Sequence, residues 1–251
     1  MKFENGIFEE TYITSFTQTG VNKVLTNKSF LSLMENIAGA HSAYANFTFK
    51  DLAKDDLSWV ILSWKLKVLK RPKADKKITI QTWGRFHNRL YVIRDFKVID
   101  ENGEICAIAS SKWCLVNTKI RKIAKMPSNI EEIYHGFRDE SVFEEENIND
   151  AIGNFIDSNM VPISSDTYKI RRFDIDINRH VHNLNYINFA YEVLPLDVFM
   201  GEELNNLEIL YKKEIKYGDT IKSFLYYENG VYTVLTKSED EKTIHSVVKL
   251  Y

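Results

Sequence analysis

The spacing of apolar and polar residues predicts a helix followed by a run of strands in the first half of the chain. Apolar residues recur at steps of three and four through Asn27–Tyr44, as on the buried face of a helix. After this segment, apolar and polar residues alternate one by one, which is typical of antiparallel strands. The predicted strands are Leu57–Leu69, Ile78–Trp83, Leu90–Ile99 and Glu104–Val116. Between the last two, Asn102-Gly103 predicts a two-residue hairpin turn.

The second half repeats this order. A strand is predicted at Tyr168–Ile177 and a helical stripe at Leu184–Leu194. The strands predicted after it are Leu207–Tyr217, Thr220–Tyr227, Val231–Thr236 and Thr243–Tyr251. Because matched elements lie about 150 residues apart, the chain is interpreted as an α+β protein made of a duplicated helix-and-sheet unit.

Residues 1–127 and 166–251 are the two predicted domains, joined by a linker at 128–165. In the linker, Ser128 and Glu131 predict a capping box at the start of a short helix that runs through Phe137. The acidic stretch Asp139–Asp150 is interpreted as a solvated face.

Composition excludes several classes of protein. The formal net charge of −2 gives no basic field for nucleic acid, and no apolar run approaches the roughly 18 residues of a membrane helix. Two cysteines, Cys106 and Cys114, form no disulfide framework, so we expect a cytoplasmic protein without membrane insertion. Signatures for serine hydrolases, nucleotide binding and zinc peptidases are also absent.

The densest polar cluster in the sequence lies at Asp174–Asn183. If this segment is extended, Asp176, Asn178 and His180 share one face, and Asn183 is placed to cap the next helix. The amides at that helix start would then be free to hold a developing oxyanion. The residues alone leave open a simple polar turn. No metal is expected because nothing completes a ligand set, and hydrolysis by these residues would need no organic cofactor.

Two other polar residues show no sign of a functional site in the sequence pattern. His41, on the apolar face of the first helix, is interpreted as a core residue with its hydrogen bonds satisfied. Alternation places Glu214 on the polar face of its predicted strand, which favours a surface charge.

Four segments of the chain share motifs with one protein family. The segment running from Asp174 to Ile187 resembles a D-L-D-x-N-x-H-V-N-N-x-x-Y-I signature, and the segment from Leu210 to Ile215 resembles a Y-R-R-E-C strand. Both motifs are those of the acyl-carrier-protein (ACP) thioesterases of plants and bacteria, which this chain resembles. The stretches from Arg94 to Phe96 and from Ala109 to Trp113 are similar to the family's R-R-D-W and A-T-S-K-W stretches.

The resemblance implies two tandem hot-dog domains, each a long helix wrapped by an antiparallel sheet. It also implies catalytic roles for Asp176, Asn178, His180 and Glu214. Ile215 stands where the family often has a cysteine, so a cysteine nucleophile is not available there. Since Val21–Leu25 stands before the first helix, the first repeat is expected to lack Asp176, Asn178 and His180 equivalents, which leaves one site per chain.

The resulting hypothesis is a fatty acyl-ACP hydrolase of fatty acid biosynthesis, with water as the nucleophile and His180 or Glu214 as general base. The acyl chain is expected beside the first helix and the Trp59–Val68 strand. The residues predicted to contact it are Trp59, Ile61, Met34 and Ile37. An acyl-coenzyme-A thioesterase, a non-catalytic acyl-thioester sensor, a strand-rich scaffold and a homodimer are left open.

The expected partner is an acyl carrier protein. Lys65–Lys77 carries seven basic residues against one acid, Asp75, and such a patch would attract an acidic carrier protein. A solvated strand-and-turn face is the alternative for this segment.

Overall fold

The computed structural model describes residues 1–144 and 160–251, and for Phe86 and His87 it describes the backbone alone. Contacts divide the chain into two compact units, Met1–Leu62 with Leu66–Glu145 and Ser63–Lys65 with Glu146–Tyr251. Residues 145–150 of the predicted acidic stretch lie outside the described residues. No helix in the described ranges is long and apolar enough to cross a lipid bilayer.

The N-terminal unit packs a long helix against an antiparallel sheet. Its helices are α1 (Asn27–Tyr44), α2 (Phe49–Lys54) and α3 (Ile130–Ile133). Its strands are β1 (Lys2–Glu4), β2 (Ile7–Ile13), β3 (Leu57–Val68), β4 (Lys77–Asn88), β5 (Tyr91–Asp100), β6 (Ile105–Asn117) and β7 (Lys122–Ala124). The strand order is β1-β2-β4-β5-β6-β3, and β7 pairs with the end of β6.

Helix α1 confirms the helix predicted from the apolar period. The Thr26 side chain caps it by accepting a hydrogen bond from the Ser29 amide at 3.1 Å. The helix ends just before Asn46, whose φ of 52° is left-handed, a conformation that asparagine tolerates. Four apolar side chains of one face are fully or almost fully buried, and each contributes about 1.5–3 kcal/mol to stability. They are Phe30, Leu33, Met34 and Ile37.

The strands predicted for this unit are confirmed, with differences at their ends. β4 continues to Asn88, beyond the predicted end at Trp83. The β5–β6 turn is longer than predicted, because Asp100 and Glu104 are joined by a backbone hydrogen bond of 2.9 Å around three loop residues. In this loop Gly103 has a φ of 85°, a conformation that glycine adopts without strain.

The end of the N-terminal unit overlaps the predicted linker. Ile130 and Tyr134 are buried in its core, so residues 130–144 pack with this unit. The predicted capping box is wrong, because the N-cap of α3 is Asn129 and it has no side-chain cap bond. The predicted helix through Phe137 is also too long, since α3 ends at Ile133.

The C-terminal unit has the same kind of architecture with shorter helices. These are α4 (Asn185–Tyr191) and α5 (Leu196–Met200). Its strands are β8 (Ser164–Lys169), β9 (Asn206–Tyr211), β10 (Thr220–Glu228), β11 (Val231–Ser238) and β12 (Ile244–Leu250). They are arranged in the order β9-β12-β11-β10-β8, and each neighbouring pair in this order is antiparallel.

Three predicted elements of this unit have wrong bounds. The strand predicted at Tyr168–Ile177 ends at Lys169 and is followed by a 3-10 turn. The helix predicted at Leu184–Leu194 is confined to Asn185–Tyr191. The strand predicted at Leu207–Tyr217 ends at Tyr211, because a loop leads from there to the next turn.

Candidate active site

The predicted catalytic residues of the signature segment lie on a tight loop, and the predicted extended face is wrong. The amide of Asp176 donates to the carbonyl of His180 at 2.9 Å, and the amide of Arg179 donates to the carbonyl of Asp176 at 3.0 Å. Arg179 has a left-handed φ of 64°, which reverses the chain. A bridge between Ile175 and Val181 closes the loop. Asp176, Asn178 and His180 are therefore gathered by a turn.

The carboxylate of Asp176 organises the inside of this loop. Its Oδ1 atom accepts hydrogen bonds from the amides of Asn178 at 2.8 Å and His180 at 3.4 Å. Its Oδ2 atom accepts one from Nδ2 of Asn178 at 3.3 Å. One carboxylate thus holds both the backbone of the turn and the amide group of Asn178, which is an exposed residue.

His180 and Glu214 form the second half of the site. Nε2 of His180 lies 3.3 Å from Oε2 of Glu214, and the two side chains are 30% and 32% exposed. A proton on either group is therefore within hydrogen-bond reach of the other, and both side chains remain open to a substrate. Glu214 lies three residues beyond the end of β9, so its predicted position on a strand is wrong.

A small apolar core fixes the loop against the segment that carries Glu214. The Val181 amide donates to the Ile215 carbonyl at 2.9 Å, and His180 forms a backbone bridge with Lys216. The side chains of Val181 and Ile215 are both buried in one cluster, together with Tyr186. Each polar residue of the His180–Glu214 pair thus has a buried neighbour in sequence, which limits how far the pair separates.

The predicted oxyanion site at the start of α4 is wrong, because those amides are already engaged. Leu184 is the N-cap, so the predicted cap Asn183 lies one residue too early. The amide of Leu184 donates to Nδ1 of His182 at 3.3 Å, and the amide of Asn185 donates to the His182 carbonyl at 2.8 Å. The next two amides also donate to backbone carbonyls of the preceding turn.

The N-terminal unit contains a loop of the same geometry as the loop of Asp176, Asn178 and His180. Bridges join Thr19 to Leu25 and Val24 to Lys73, as bridges join Ile175 to Val181 and His180 to Lys216. Lys23 has a left-handed φ of 58°, matching that of Arg179. The two loops therefore correspond with a shift of 156 residues, since 175 − 19 and 181 − 25 both equal 156.

This correspondence corrects one expectation from the sequence. Asn22 occupies the place of Asn178, while Gly20 and Val24 replace Asp176 and His180. The segments that bridge to the two loops correspond with a different shift, because Lys73 and Lys216 are 143 positions apart. With this shift Arg71 corresponds to Glu214. Arg71 donates to the carbonyl of Leu25 at 3.0 Å, and so closes its loop structurally. The first loop keeps one polar group of four and lacks the His–Glu pair.

The two cysteines do not serve this site as nucleophiles. Cys106 and Cys114 are buried in the N-terminal unit, and burial raises the pKa of each thiol to about 11. Each is therefore protonated and unreactive at neutral pH. Among residues 1–144 and 160–251, no group of three or more His, Cys, Asp or Glu side chains is arranged to hold a metal ion.

The N-terminal unit holds a mostly apolar pocket of about 420 Å³. This volume is in the range of small-molecule sites. α1 contributes its small side chains, including Ala38, Gly39 and Ala43. The other walls come from the α1–α2 connection, β3, β5, β6 and the segment around α3, with large side chains at Phe47, Phe49, Trp59, Trp113, Tyr134 and Phe137.

Trp59 is the predicted acyl-contacting residue that lines this pocket. Ile61 is absent from its lining, and Met34 and Ile37 are fully buried in the core. The prediction chose the most apolar face of α1, but that face packs tightly and leaves no room for a ligand. The neighbouring face carries small residues, which leave space.

Gly84 on β4 makes room for one wall of the pocket. A Cβ atom at this position would lie 2.7 Å from Cε1 of Phe137, closer than van der Waals contact allows. The glycine thus lets the Phe137 ring lie directly on the strand. The sequence pattern predicted Phe137 in a linker and gave no sign of its place in the pocket.

Comparisons with known proteins cover both units. Residues 5–134 match the family model of the acyl-ACP thioesterase N-terminal domain, and residues 159–249 match that of the C-terminal domain. An oleoyl-acyl carrier protein thioesterase of Coriandrum sativum is 26% identical over 247 residues, which cover 93% of this chain and 66% of that protein. This chain therefore spans slightly less than two thirds of its plant relative.

Solved structures show the same fold. An acyl-ACP thioesterase from Bacteroides thetaiotaomicron is 25% identical, with 100% of this chain and 99% of that chain covered and a TM-score of 0.84. The 12:0-ACP thioesterase from Umbellularia californica is 19% identical, with coverages of 100% and 98% and a TM-score of 0.83. The predicted α+β fold with tandem hot-dog units is confirmed by these structures.

Proposed function

Since this chain belongs to the acyl-ACP thioesterase family, we propose that it hydrolyses the thioester between a fatty acyl chain and acyl carrier protein. The products are a free fatty acid and the carrier protein with its free thiol, as in fatty acid biosynthesis. The observation that carries the proposal is the 3.3 Å contact between His180 and Glu214, beside the loop that orders Asp176 and Asn178.

In the proposed reaction the His180–Glu214 pair acts as the general base. It removes a proton from a water molecule while the water oxygen bonds to the thioester carbonyl carbon. The tetrahedral intermediate then collapses, the C–S bond breaks, and its electron pair leaves with sulfur. The proton held by the pair returns to the thiolate, so that a carboxylic acid and a thiol are formed. The reaction therefore balances with water as the second reactant.

Asn178 is proposed to orient the water, and Asp176 is proposed to orient Asn178. Because Nδ2 of Asn178 donates to Asp176, the Oδ1 atom of its amide is turned away from that carboxylate. Oδ1 then accepts a hydrogen bond from the water and leaves a lone pair of the water directed at the carbonyl carbon. Asp176 acts through Asn178 and the loop backbone, and is a positioning residue.

The apolar pocket of the N-terminal unit is proposed to bind the acyl chain. Its lining of Trp59, Trp113 and Phe137 suits an alkyl chain, whose burial contributes about 0.8 kcal/mol per methylene. Burial on this scale makes turnover depend on chain length, with a fall once the chain exceeds the pocket.

The location, the assembly state and the preferred thioester remain predictions. A cytoplasmic location is proposed from the two unpaired cysteines and is tested by cell fractionation. A homodimer is tested by light scattering of the purified protein. Both donors share the same pantetheine arm, so discrimination between them must come from contacts with the carrier protein itself. Preference for the carrier protein over coenzyme A is therefore proposed from the basic segment Lys65–Lys77.

One panel of substrates tests the function. The purified protein is given octanoyl, dodecanoyl, hexadecanoyl and oleoyl groups on acyl carrier protein and on coenzyme A, and the free thiol is measured. We expect hydrolysis of the carrier-protein series with one preferred length. Faster hydrolysis of the coenzyme-A series would identify an acyl-coenzyme-A thioesterase instead. Tight binding without hydrolysis of any substrate would identify an acyl-thioester sensor.

A further inference from the structure

Arg94 is a buried cation in the wall of the apolar pocket. It lies on β5, its side chain lines the pocket, and the residue is 7% exposed. Burial lowers the pKa of its guanidinium, an effect that Tyr134 partly offsets. An arginine nevertheless stays charged at neutral pH. A buried charge of this kind is costly unless it is paired and hydrogen-bonded.

The contacts of Arg94 within the described residues are with His41, Thr82 and Tyr134, whose side chain also forms a hydrogen bond with the guanidinium, and none of them is a carboxylate. Nη1 lies 3.1 Å from Nδ1 of His41 and 3.3 Å from Oγ1 of Thr82. The guanidinium carbon lies 5.5 Å from the centroid of the Tyr134 ring. Burial, and then the charge of Arg94, lower the pKa of His41 to about 3, so His41 is a neutral acceptor.

The other buried arginine of this sheet shows the difference. Nε of Arg85 is 2.6 Å from Oδ2 of Asp95, and both side chains are almost completely buried. Asp95 is thereby committed to Arg85. Arg94 has five N–H donors, and the side chains that accept from it are neutral. The guanidinium of Arg94 therefore has N–H groups left to donate to a ligand in the pocket.

We infer that the pocket is built for acyl chains that carry an oxygen substituent, a hydroxyl, oxo or carboxylate group, which accepts a hydrogen bond from Arg94. This inference rests on the proposed function, because it specifies the acyl group of the same substrate. An unsubstituted alkyl chain covers the guanidinium and offers it nothing. A chain with an oxygen at the right carbon pairs with it, and hydrogen bonds to charged groups are among the stronger ones in proteins.

The test is a positional series measured with the wild-type protein. Dodecanoyl groups on acyl carrier protein carry a hydroxyl or oxo group at successive carbons, and one member ends in a carboxylate. The expected result is one position whose kcat/KM exceeds that of unsubstituted dodecanoyl by roughly tenfold to hundredfold, the effect of one hydrogen bond to a charged group. The best member of the series shows whether the preferred oxygen is neutral or anionic.

Two variants then tie the preference to Arg94. Arg94→Met keeps much of the side-chain length without the charge. It should reduce the ratio of kcat/KM between the best oxygenated substrate and unsubstituted dodecanoyl to about one. Arg94→Lys should keep part of it. Arg89→Met is the matched control, because it removes the same charge from an exposed arginine outside the pocket lining, and it should leave the ratio unchanged. A preference that persists in a folded Arg94→Met protein would contradict the assignment.

The result that overturns the inference differs from the one that overturns the function. If unsubstituted dodecanoyl is hydrolysed best and every oxygen lowers the rate, the thioesterase proposal stands and this inference fails. If no carrier-protein substrate is hydrolysed, the function fails, and calorimetry with non-hydrolysable pantetheine analogues that carry a hydroxydodecyl or a plain dodecyl chain decides the inference. Equal affinity for the two analogues would then refute it. Should Arg94→Met not fold, the wild-type series still decides.

Discussion

The close approach of Phe137 to Gly84 gives a prediction about stability that the structure specifies in detail. In Gly84→Ala the new methyl carbon would lie 2.7, 2.9 and 3.3 Å from three carbons of the Phe137 ring. A phenyl ring cannot bend, so the ring or the strand must shift. Overpacking of this kind costs about 1–3 kcal/mol. For a chain of this size each kcal/mol lowers the melting temperature by about 2–4 °C.

The assay is a pair of thermal melts with a matched glycine. At Gly39, inside α1, a Cβ atom would have no neighbouring atom within 4 Å, so Gly39→Ala meets no obstacle. This control should stabilise the protein by up to about 1 kcal/mol, because alanine is the better helix former. Gly84→Ala should be destabilising although the chemical change is the same.

A double variant isolates the contact itself. In the Phe137→Ala background the obstacle is gone, and Gly84→Ala should cost less than about 0.5 kcal/mol, within the usual error of additivity. The two single changes would therefore be strongly non-additive. If Gly84→Ala melts like the wild type, or if its cost is the same with and without the Phe137 ring, the packing described for this wall of the pocket is wrong.

Two other predictions concern charge. The unfolded chain protonates His41 near pH 6.5 but the folded protein only near 3, so acidification below 6.5 lowers stability by up to about 1.4 kcal/mol per pH unit. His41→Gln should flatten this slope between pH 6.5 and 5 in denaturant titrations, and an unchanged slope would exclude His41 as its source. Replacing three lysines of the basic segment by glutamate should slow hydrolysis of acyl carrier protein at low salt and leave the rate of acyl-coenzyme-A hydrolysis unchanged. Equal losses of rate with both donors would exclude the basic segment as a binding surface for the carrier protein. The three lysines are Lys73, Lys76 and Lys77.

The regular elements of the N-terminal unit could be predicted from the sequence because local pattern and tertiary environment agree there. The apolar stripe of α1 faces a sheet, and the same stripe is what the sequence shows. In β3, Leu66 and Val68 are buried while Lys67 between them is exposed, as the alternation predicts. One face in the core and one outside it is the condition under which periodicity is informative.

The loop of the candidate active site was predicted from its residues, but its shape could not be predicted. Asp174 and Asp176 accept backbone amides at 2.7 and 2.8 Å, and these local bonds bend a segment whose alternation predicts a strand. The alternation of apolar and polar residues is the same whether such polar side chains are solvated on a strand or accept hydrogen bonds from nearby backbone amides. The proposed roles of His180 and Glu214 rest on the resemblance, since periodicity alone favours a surface charge at Glu214.

The pocket was the least predictable feature because it depends on contacts between distant segments. Phe137 reaches Gly84 from a part of the chain whose sequence is typical of a linker, and Arg94 meets His41 across 53 positions. The predicted residues Met34 and Ile37 have the right chemistry on the wrong face of α1. A cavity forms where residues are small, so the most apolar positions of a helix do not indicate where a cavity lies.

The central claim is that the His180–Glu214 pair performs the hydrolysis, and two variants of the pair test it most directly. His180→Ala and Glu214→Gln are compared with wild type for turnover of the preferred acyl carrier protein, melting temperature and affinity for a non-hydrolysable acyl analogue. The chain offers its own control, because Asn22 occupies in the first loop the place of Asn178 in the second. Asn22→Ala should leave turnover intact, while Asn178→Ala and Asp176→Asn impair it.

We expect turnover to fall by about 10²–10⁴ in at least one of the two pair variants, with folding and analogue binding retained. The variant with the larger loss identifies the group that takes the proton from water. Near-normal turnover in both His180→Ala and Glu214→Gln would contradict the assignment of this pair as the catalytic base.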